Sequence, residues 1–371
     1  MSRASESQWQ LIRKRFARHH LAVWSLNLLI ALYLVAIFAE FVAPYDRASR
    51  HLDSVWTPPQ VPVWTPSKGW HAEALRKDVD RVTLASRYTS DGESYVPLGF
   101  FVRGDAYHLF GLIPWNVHLF GVDLDRYETM YGSAENPPEP RFYLLGADRY
   151  GRDLLTRIVF GARISLFIGV VAVVMTFLLG VTIGGISGYV GGRTDVGIQR
   201  MIEIVNSFPQ LPLWLGLAAA MPRGWPALRV YFAITIVLSL LAWTGLARVV
   251  RGKLLSLREE DYALAAKMMG ASHRRIIFVH LLPAFASHII VSLTLAIPTM
   301  ILGETALSFL GLGLRPPIVS WGVMLQDCMS MQVVATYPWL LMPVVFIVLT
   351  VMGFNFLGDG LRDAADPYQS R

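Results

Sequence analysis

The sequence has very little cysteine and little charge for its length. A single cysteine, Cys328, stands among 371 residues, which excludes a disulfide within the chain and any cysteine-based metal cluster. Only 16% of the residues are charged, whereas 54% are hydrophobic. One soluble core cannot bury that much apolar surface. The composition therefore predicts an integral membrane protein.

Motifs for covalent chemistry are also missing from the sequence. The Gly191–Asp195 stretch has neither the spacing nor the lysine of a phosphate-binding loop. The sequence contains no Gly-x-Ser-x-Gly elbow and no His-Glu-x-x-His pair. A membrane-embedded enzyme therefore has no residue set to support it.

Basic residues outnumber acidic ones, 33 to 27, which gives a net charge of +6. They cluster beside apolar runs, as loop charges do when they fix membrane orientation, and this favours a topological role over nucleic-acid binding. Lys and Arg are concentrated before the first apolar run and again in 248–275, so we expect both chain termini in the cytoplasm.

Six apolar runs are candidates to cross a hydrocarbon core of roughly 30 Å. The first, Leu21–Val42, is longer than the roughly 7–15 residues of a signal peptide core and is expected to be an uncleaved anchor. Pro209 and Pro212 interrupt the third run, and the fifth is short, which is typical of helices shielded by protein. The other five runs are Ile164–Ile186, Ile204–Met221, Val230–Ala247, His288–Leu302 and Trp339–Leu357.

This topology divides the chain into five parts. They are a cytoplasmic N-terminus (1–20), a first transmembrane helix (21–43), an extracytoplasmic insert (44–160), a five-helix transmembrane domain (161–358) and a cytoplasmic C-terminus (359–371).

The insert contains two short repeats, which we interpret as short strands and turns. They are Trp56-Thr57-Pro58 with Trp64-Thr65-Pro66, and His108-Leu109-Phe110-Gly111 with His118-Leu119-Phe120-Gly121, separated by a turn predicted at Pro114-Trp115-Asn116. We expect the two histidines to be strand-edge residues and not metal ligands. We expect the insert either to form an aromatic cap that contacts a partner or to be a self-contained structure without a partner. The tryptophans of such a cap are Trp56, Trp64, Trp70 and Trp115.

The segment between the fourth and fifth spans has an apolar stripe. Tyr262, Ala265, Ala266 and Met269 recur at helical spacing, and Gly270 can adopt the left-handed conformation that ends a helix. The following Ser272 can cap a second short helix. With no soluble domain to cover it, such a stripe favours docking onto a separate protein over lying on the membrane surface.

Four glycines, Gly180, Gly184, Gly188 and Gly192, recur at every fourth position and allow close approach of another helix, within this chain or in a partner. Glu304 is the carboxylate nearest to hydrocarbon depth in the fifth span, and it either lines a substrate pathway or pairs locally at the interface.

Two charge pairs, Asp148 with Arg152 and Asp153 with Arg157, have the i, i+4 spacing of one helical face. They are expected to position the second span, or alternatively to contact a docked protein.

The stretch Leu264-Ala265-Ala266-x-x-x-Gly270, followed by Leu282-Pro283, resembles the EAA loop of permease subunits in binding-protein-dependent ABC importers. Leu264 replaces the Glu of that motif, and His280 replaces its usual Ile. Further segments are similar to C-type permeases of dipeptide, oligopeptide and nickel importers. They are Leu145–Asp153, Gly161–Leu166, Gly188–Gly192, Glu304–Gly313 and Ser320-Trp321-Gly322.

The resemblance implies an all-α polytopic membrane protein with six transmembrane helices of the type I ABC importer permease kind. It implies a coupling loop over 261–283 that seats in a groove of the ATPase. The expected coupling residues are Tyr262, Leu264, Ala265, Ala266, Met269, Gly270, His280, Leu282 and Pro283.

The same resemblance implies the partners: a second related permease, two cytoplasmic ATPase subunits, an extracytoplasmic solute-binding protein and the lipid of a bacterial inner membrane. ATP and Mg are expected on the ATPase subunits, with no cofactor bound by this chain. Peptide is the expected solute, with nickel, oligosaccharide and opine left open. An ion-coupled secondary transporter remains the rival, but such proteins tend to have paired inverted repeats and several intramembrane ionisable groups.

Overall fold

The computed structural model describes residues 8–79, 86–134, 137–222 and 224–366. Most of them are helical. The helices are α1 (Gln8–Arg18), α2 (His20–Ile37), α3 (Ala39–Val42), α4 (Leu124–Tyr131), α5 (Leu154–Val190), α6 (Gly192–Ser207), α7 (Gln210–Ala219), α8 (Ala227–Leu257), α9 (Asp261–Met268), α10 (His273–Arg275), α11 (Ala286–Phe309), α12 (Trp321–Met324), α13 (Met331–Thr336) and α14 (Met342–Ala365). The strands are β1 (Val63–Thr65), β2 (Gly69–Val79), β3 (Ser86–Leu109) and β4 (Ile113–Val122).

The chain forms two compact units, one of 1–31, 166–315 and 347–371 and the other of 32–165 and 316–346. The predicted insert therefore shares its unit with a segment that lies far away in sequence. The predicted chain ends, 1–7 and 367–371, lie outside the described residues.

Within the described residues, five helical stretches are long and apolar enough to span a membrane: His20–Ile37, Leu154–Val190, Leu228–Leu257, His273–Phe309 and Pro338–Ala365. They correspond to the first, second, fourth, fifth and sixth predicted runs. The predicted runs after the first were too short, because each of these helical stretches continues beyond its apolar run at both ends. The fifth prediction, His288–Leu302, covers less than half of its stretch.

The third predicted span, Ile204–Met221, does not form one helix. Helix α6 ends at Ser207, and α7 has only 10 residues. Pro209 is the N-cap residue of α7 and Pro212 lies in its first turn, where a missing backbone N–H costs nothing. The two prolines thus begin a new helix, and the expectation of six long spans is not met by these residues.

The insert forms a four-stranded antiparallel sheet in the order β1-β2-β3-β4. The prediction of short strands is confirmed for β1, which has 3 residues, and is wrong for β3, which has 24; the sheet also departs from the expected all-α fold. Its first half pairs with β2, from Ser86 to Pro97, and its second half pairs with β4. The predicted turn at 114–116 lies within β4, since the hairpin loop is at 110–112.

The two ends of the insert lie side by side. The hydroxyl of Tyr45 donates to the carbonyl oxygen of Phe142 at 3.1 Å and accepts from the N–H of Phe142 at 2.8 Å. Phe142 also belongs to the core of the sheet, with Ala72, Val96 and Leu98. The chain therefore enters and leaves the insert at one tightly bonded point.

The glycines of α5 pack against α8. A Cβ atom on Gly184 would lie 2.4 Å from the carbonyl oxygen of Ala247, and one on Gly188 would lie 2.7 Å from that of Arg251. Gly192 stands outside this contact, at the start of α6 with φ +58°. The glycine face is thus used within this chain. Because both residue numbers increase together, α5 and α8 run parallel.

Candidate functional site

The candidate site is the segment 261–285, which links α8 to α11. Its first helix, α9, ends as the sequence predicts. Gly270 has φ +80°, the N–H of Ala271 bonds to the carbonyl of Ala266 at 3.1 Å, and that of Gly270 bonds to Lys267 at 3.0 Å. These two bonds form a Schellman motif, which closes the helix and turns the chain. The next helix begins at Ser272, whose hydroxyl accepts from the N–H of Arg275.

Helix α9 is held by two alanines. Ala263 and Ala266 are buried against Leu246, Leu254 and Phe285, among other residues of α8 and of the stretch leading into α11. Small side chains allow this close contact. The predicted stripe was therefore wrong in one member, since Ala266 faces the protein interior.

The other face of the segment is apolar and exposed. Met268 and Met269 are 89% and 81% exposed, and methionine is a flexible side chain suited to adaptable contacts. We call the exposed set the apolar loop surface: Tyr262, Leu264, Met268, Met269, Phe278 and Val279. Ala265, also predicted for coupling, is exposed beside them.

The chain enters α11 through an irregular helical turn. Residues Ile276–Leu281 form a π-helical turn, and the N–H of Leu282 bonds to the carbonyl of Ile277. Pro283 follows, and because proline has no N–H the regular ladder cannot continue there. Pro283 is exposed, whereas His280 and Leu282 are half-buried. These three predicted residues thus lie at the junction and not on α9.

A polar network joins the end of α5 to the segment. The hydroxyl of Tyr189 lies 2.8 Å from Nδ1 of His273. Nearby, both carboxylate oxygens of Asp195 accept from Arg251 at 2.5 Å, and Ser187 donates to the same carboxylate. Hydrogen bonds from Arg251, and then from Ser187, hold the pKa of Asp195 below its usual value although burial raises it. The network thus joins α5, α6 and α8 to one another and α5 to segment 261–285.

Glu304 is buried inside its unit of the chain. It is 0% exposed, and α11 continues past it to Phe309. The hydroxyl of Ser308 donates to Oε1 of Glu304 at 2.7 Å and accepts from the N–H of Leu314 at 3.0 Å. The carboxyl group thus has its hydrogen-bond partner one helical turn away. Glu304 is distant from segment 261–285 in sequence and does not belong to the apolar cluster that packs against this segment.

The segment 145–157 carries the other family-like charges, and they are buried. The carboxylate of Asp148 accepts from Nε of Arg152 at 2.7 Å and from Nη1 of Arg157. Asp153 instead caps α5 by accepting from the N–H of Thr156 at 2.6 Å. The predicted Asp153–Arg157 pair is therefore wrong: Asp153 caps α5 and Arg157 bonds to Asp148, whereas the predicted Asp148–Arg152 pair is present.

Burial raises the pKa of Asp153 to about 6. Its Oδ1 has no hydrogen-bond partner among the described residues. Both Asp148 and Arg157 are almost fully buried, so neither offers a surface for a docked protein.

Several of these residues were missed by reasoning from sequence. Asp195 was considered only as part of a failed phosphate loop, and Tyr189 only as part of a family-like stretch. Met268 was left out of the stripe because it does not fit the i, i+3, i+4, i+7 pattern. The described residues contain no group of three His, Cys, Asp or Glu side chains that could hold a metal ion.

Two family models match parts of this chain. A family model described as "Binding-protein-dependent transport system inner membrane component" matches residues 180–371, and one described as "N-terminal TM domain of oligopeptide transport permease C" matches residues 7–59.

Three curated relatives are similar over most of their lengths. The oligopeptide transport system permease protein OppC of Bacillus subtilis is 41% identical over 67% of this chain and 80% of its own. The dipeptide permease DppC of the same organism is 43% identical over 63% of this chain and 72% of its own. The glutathione transport system permease protein GsiD of Pectobacterium atrosepticum is 37% identical over 70% of this chain and 83% of its own.

Proposed function

Because the chain belongs to the family of binding-protein-dependent transport system inner membrane components, it is a permease subunit of an ABC importer, and we propose that its cargo is peptide. The support is that similar chains are named for oligopeptide, dipeptide and glutathione transport. The cargo arrives on a solute-binding protein outside the membrane. Nickel, oligosaccharide and opine are the alternatives that an experiment has to separate.

The apolar loop surface docks onto a cytoplasmic ATPase. Support comes from Met268 and Met269, whose exposed side chains would remain in water without a partner. Two ATPase subunits bind and hydrolyse ATP with Mg, one below this chain and one below a second, related permease. This chain has no ATPase site of its own and no cofactor.

The segment 192–219 makes the sixth crossing as a broken helix, and both termini lie in the cytoplasm. The parallel contact between α5 and α8 supports this, because parallel neighbours require the connecting chain to return across the membrane. The proline-started α7 supplies the apolar part of the return. Irregular backbone at such depth is tolerated where neighbouring helices cover it.

ATP-driven closure of the ATPases moves segment 261–285, and the bundle rocks between inward-open and outward-open states. Ala263 and Ala266 transmit the movement, because they are buried in one apolar cluster with residues of α8 and of the start of α11. The Tyr189–His273 hydrogen bond carries it to α5.

Glu304 takes part in substrate passage. This is supported by the burial of its carboxyl group in a helix of membrane-spanning length. An ionisable group at such a place costs free energy and usually marks a functional site. The test is Glu304→Gln, which keeps the acceptor for Ser308. Uptake unchanged in this variant would remove Glu304 from the pathway.

The cargo is tested with the complete complex in sealed vesicles. The partner binding protein is purified, its ligand is identified by mass spectrometry, and that ligand is then offered in labelled form. We expect a peptide, and uptake that requires both ATP and the binding protein. Uptake driven by an ion gradient without ATP would contradict the importer, whereas a bound nickel ion or sugar would contradict only the cargo.

A further inference from the structure

The end of the β3–β4 hairpin is apolar and exposed. Its three-residue loop is Phe110-Gly111-Leu112, and Leu112 is 82% exposed. Hairpin loops in water are usually built from Asn, Asp and Gly. The exposed apolar side chains in this part of the sheet are Phe100, Phe101, Phe110, Leu112, Ile113 and Trp115. A surface of this kind marks a contact with a partner or with a membrane.

The backbone conformation of the hairpin loop also indicates such a contact. Phe110 has φ +55°, a left-handed conformation that glycine or asparagine adopts more easily. The sequence places a large aromatic ring there in spite of the strain. Backbone strain of this kind persists where the surroundings require that side chain.

The hairpin end lies beside the first membrane-spanning helix. The ring of Phe110 is 5.6 Å from that of Phe38, and the ring of Phe101 is 6.1 Å from that of Phe41. Phe38 directly follows α2, whose 18 residues extend about 27 Å. A hydrocarbon core is roughly 30 Å thick. Phe38, and with it the hairpin loop, therefore lies at the edge of the hydrocarbon region.

An apolar groove of about 410 Å³ separates helix and hairpin. It is lined by Leu34, Val35, Phe38, Phe41, Val42, Leu109 and Trp115. Leu34 is exposed on α2, which is long and apolar enough to span a membrane, so the groove continues the exposed apolar surface of that helix. Side chains alternate along a strand. His108 and Pro114 therefore lie on the opposite face of the hairpin from Leu109 and Ile113.

We propose that residues 109–115 of the hairpin rest in the boundary between headgroups and acyl chains of the leaflet at the end of α2, and that a phospholipid acyl chain fills the groove. Aromatic residues such as Trp115 are favoured at this depth. A water-soluble binding protein is the other candidate occupant, but a protein interface has a polar rim, and the groove is apolar throughout. Of the four tryptophans of the insert, Trp56 stacks on Tyr337 and Trp115 lines the groove.

The experiment measures depth with a nitroxide label on the full complex in phospholipid nanodiscs. Cys328 is first replaced by Ser, and then Leu112→Cys and Thr89→Cys are labelled separately. Thr89 is the matched control, since it is exposed on the same strand β3, in the half that pairs with β2. Collision with oxygen reports on lipid, and collision with a water-soluble nickel chelate reports on solvent.

We expect the label at 112 to collide several-fold more often with oxygen, and several-fold less often with the chelate, than the label at 89. High chelate collision at both positions would overturn the proposal, because the hairpin end would then be in water. Low collision with both reagents would also overturn it, because the label would be covered by protein. Protection at 112 that appears only after the binding protein is added would assign the surface to that protein.

A label at Ile113→Cys provides the second measurement if Leu112→Cys does not assemble, since Ile113 is also exposed. Assembly of each variant is checked by co-purification of the complex. The inference concerns lipid contact alone, so it can fail while peptide transport stands.

Discussion

Segments 145–157 and 261–285 both carry residues of the family pattern, but the structure uses them in opposite ways. In the first, Asp148 and Arg157 are buried and pair with each other. In the second, Leu264 and Ala265 are exposed, beside Met268 and Met269. A family-like motif thus serves either to hold a shape or to present a surface. Burial, which sequence spacing does not give, separates the two.

The largest effect is expected for the buried charges. Asp148→Asn leaves Arg157 without its counter-charge, and removing one partner of a buried ion pair costs about 3–5 kcal/mol. We expect a large drop in the thermal unfolding temperature of the purified complex. The control is Glu203→Gln, which breaks the exposed pair with Arg200 and is expected to cost under about 1 kcal/mol. Equal unfolding temperatures would mean that the buried pair does not hold the segment.

The apolar loop surface should show the reverse pattern. Met268→Asp should leave unfolding unchanged but weaken ATPase binding, because burying a methionine contributes about 1.5–3 kcal/mol, or about tenfold or more in affinity. Co-purification of the ATPase and ATP-driven uptake measure this. Met331→Asp is the control, since Met331 is 83% exposed but lies outside segment 261–285. If both variants retain the ATPase, the docking surface is elsewhere.

The packing beneath segment 261–285 can be tested with glycine. Gly184→Ala places a methyl group 2.4 Å from the carbonyl oxygen of Ala247, and such overpacking costs about 1–3 kcal/mol. We expect a moderate fall in unfolding temperature. Gly197→Ala, also in a helix but with no atom within 4 Å of the added carbon, should be neutral or slightly stabilising. A fall in both variants would mean that helix flexibility, and not the contact, is responsible.

The smallest effect concerns pH. Burial raises the pKa of Asp153 from 3.8 to about 6, so the folded protein binds this proton more tightly than the unfolded chain. Stability should therefore fall as pH rises from 3.8 towards about 6 and level off above it.

Asp153→Asn keeps an acceptor for the N–H of Thr156 and cannot ionise. Its unfolding temperature should change less between pH 5 and 7 than that of the unchanged protein, in buffers chosen around the pKa of about 6. Asp261→Asn, at the exposed start of α9, is the control. An identical pH response in all three proteins would show that Asp153 does not titrate in this range.

Much of the fold could be predicted because long apolar runs need a helix in lipid. The ends could not, since a helix continues wherever its polar groups find partners. Helix α11 continues through Glu304 because Ser308 hydrogen-bonds to it. The end of α9 at Gly270 was predicted correctly, because the left-handed turn depends on a local glycine.

The candidate site was predicted less completely, because its geometry depends on distant residues. Ala266 fits a docking stripe by spacing, yet it is buried in an apolar cluster that also contains Leu246 and Phe285. The Asp153–Arg157 pair fits a helix, yet Asp153 caps that helix and Arg157 bonds to Asp148. The length of β3 was not predicted because its two halves pair with different strands. The sequence of neither half shows that the two form one continuous strand.

The bond pair between Tyr45 and Phe142 has a consequence for how the insert can be handled. Since the chain leaves and returns at nearly the same place, the segment from Tyr45 to Phe142 can be exchanged as one module. A short linker can bridge that gap. Chimaeras that exchange this module between related permeases have to keep its ring contacts with Phe38, Phe41 and Tyr337, and they would carry over whatever else the module contacts.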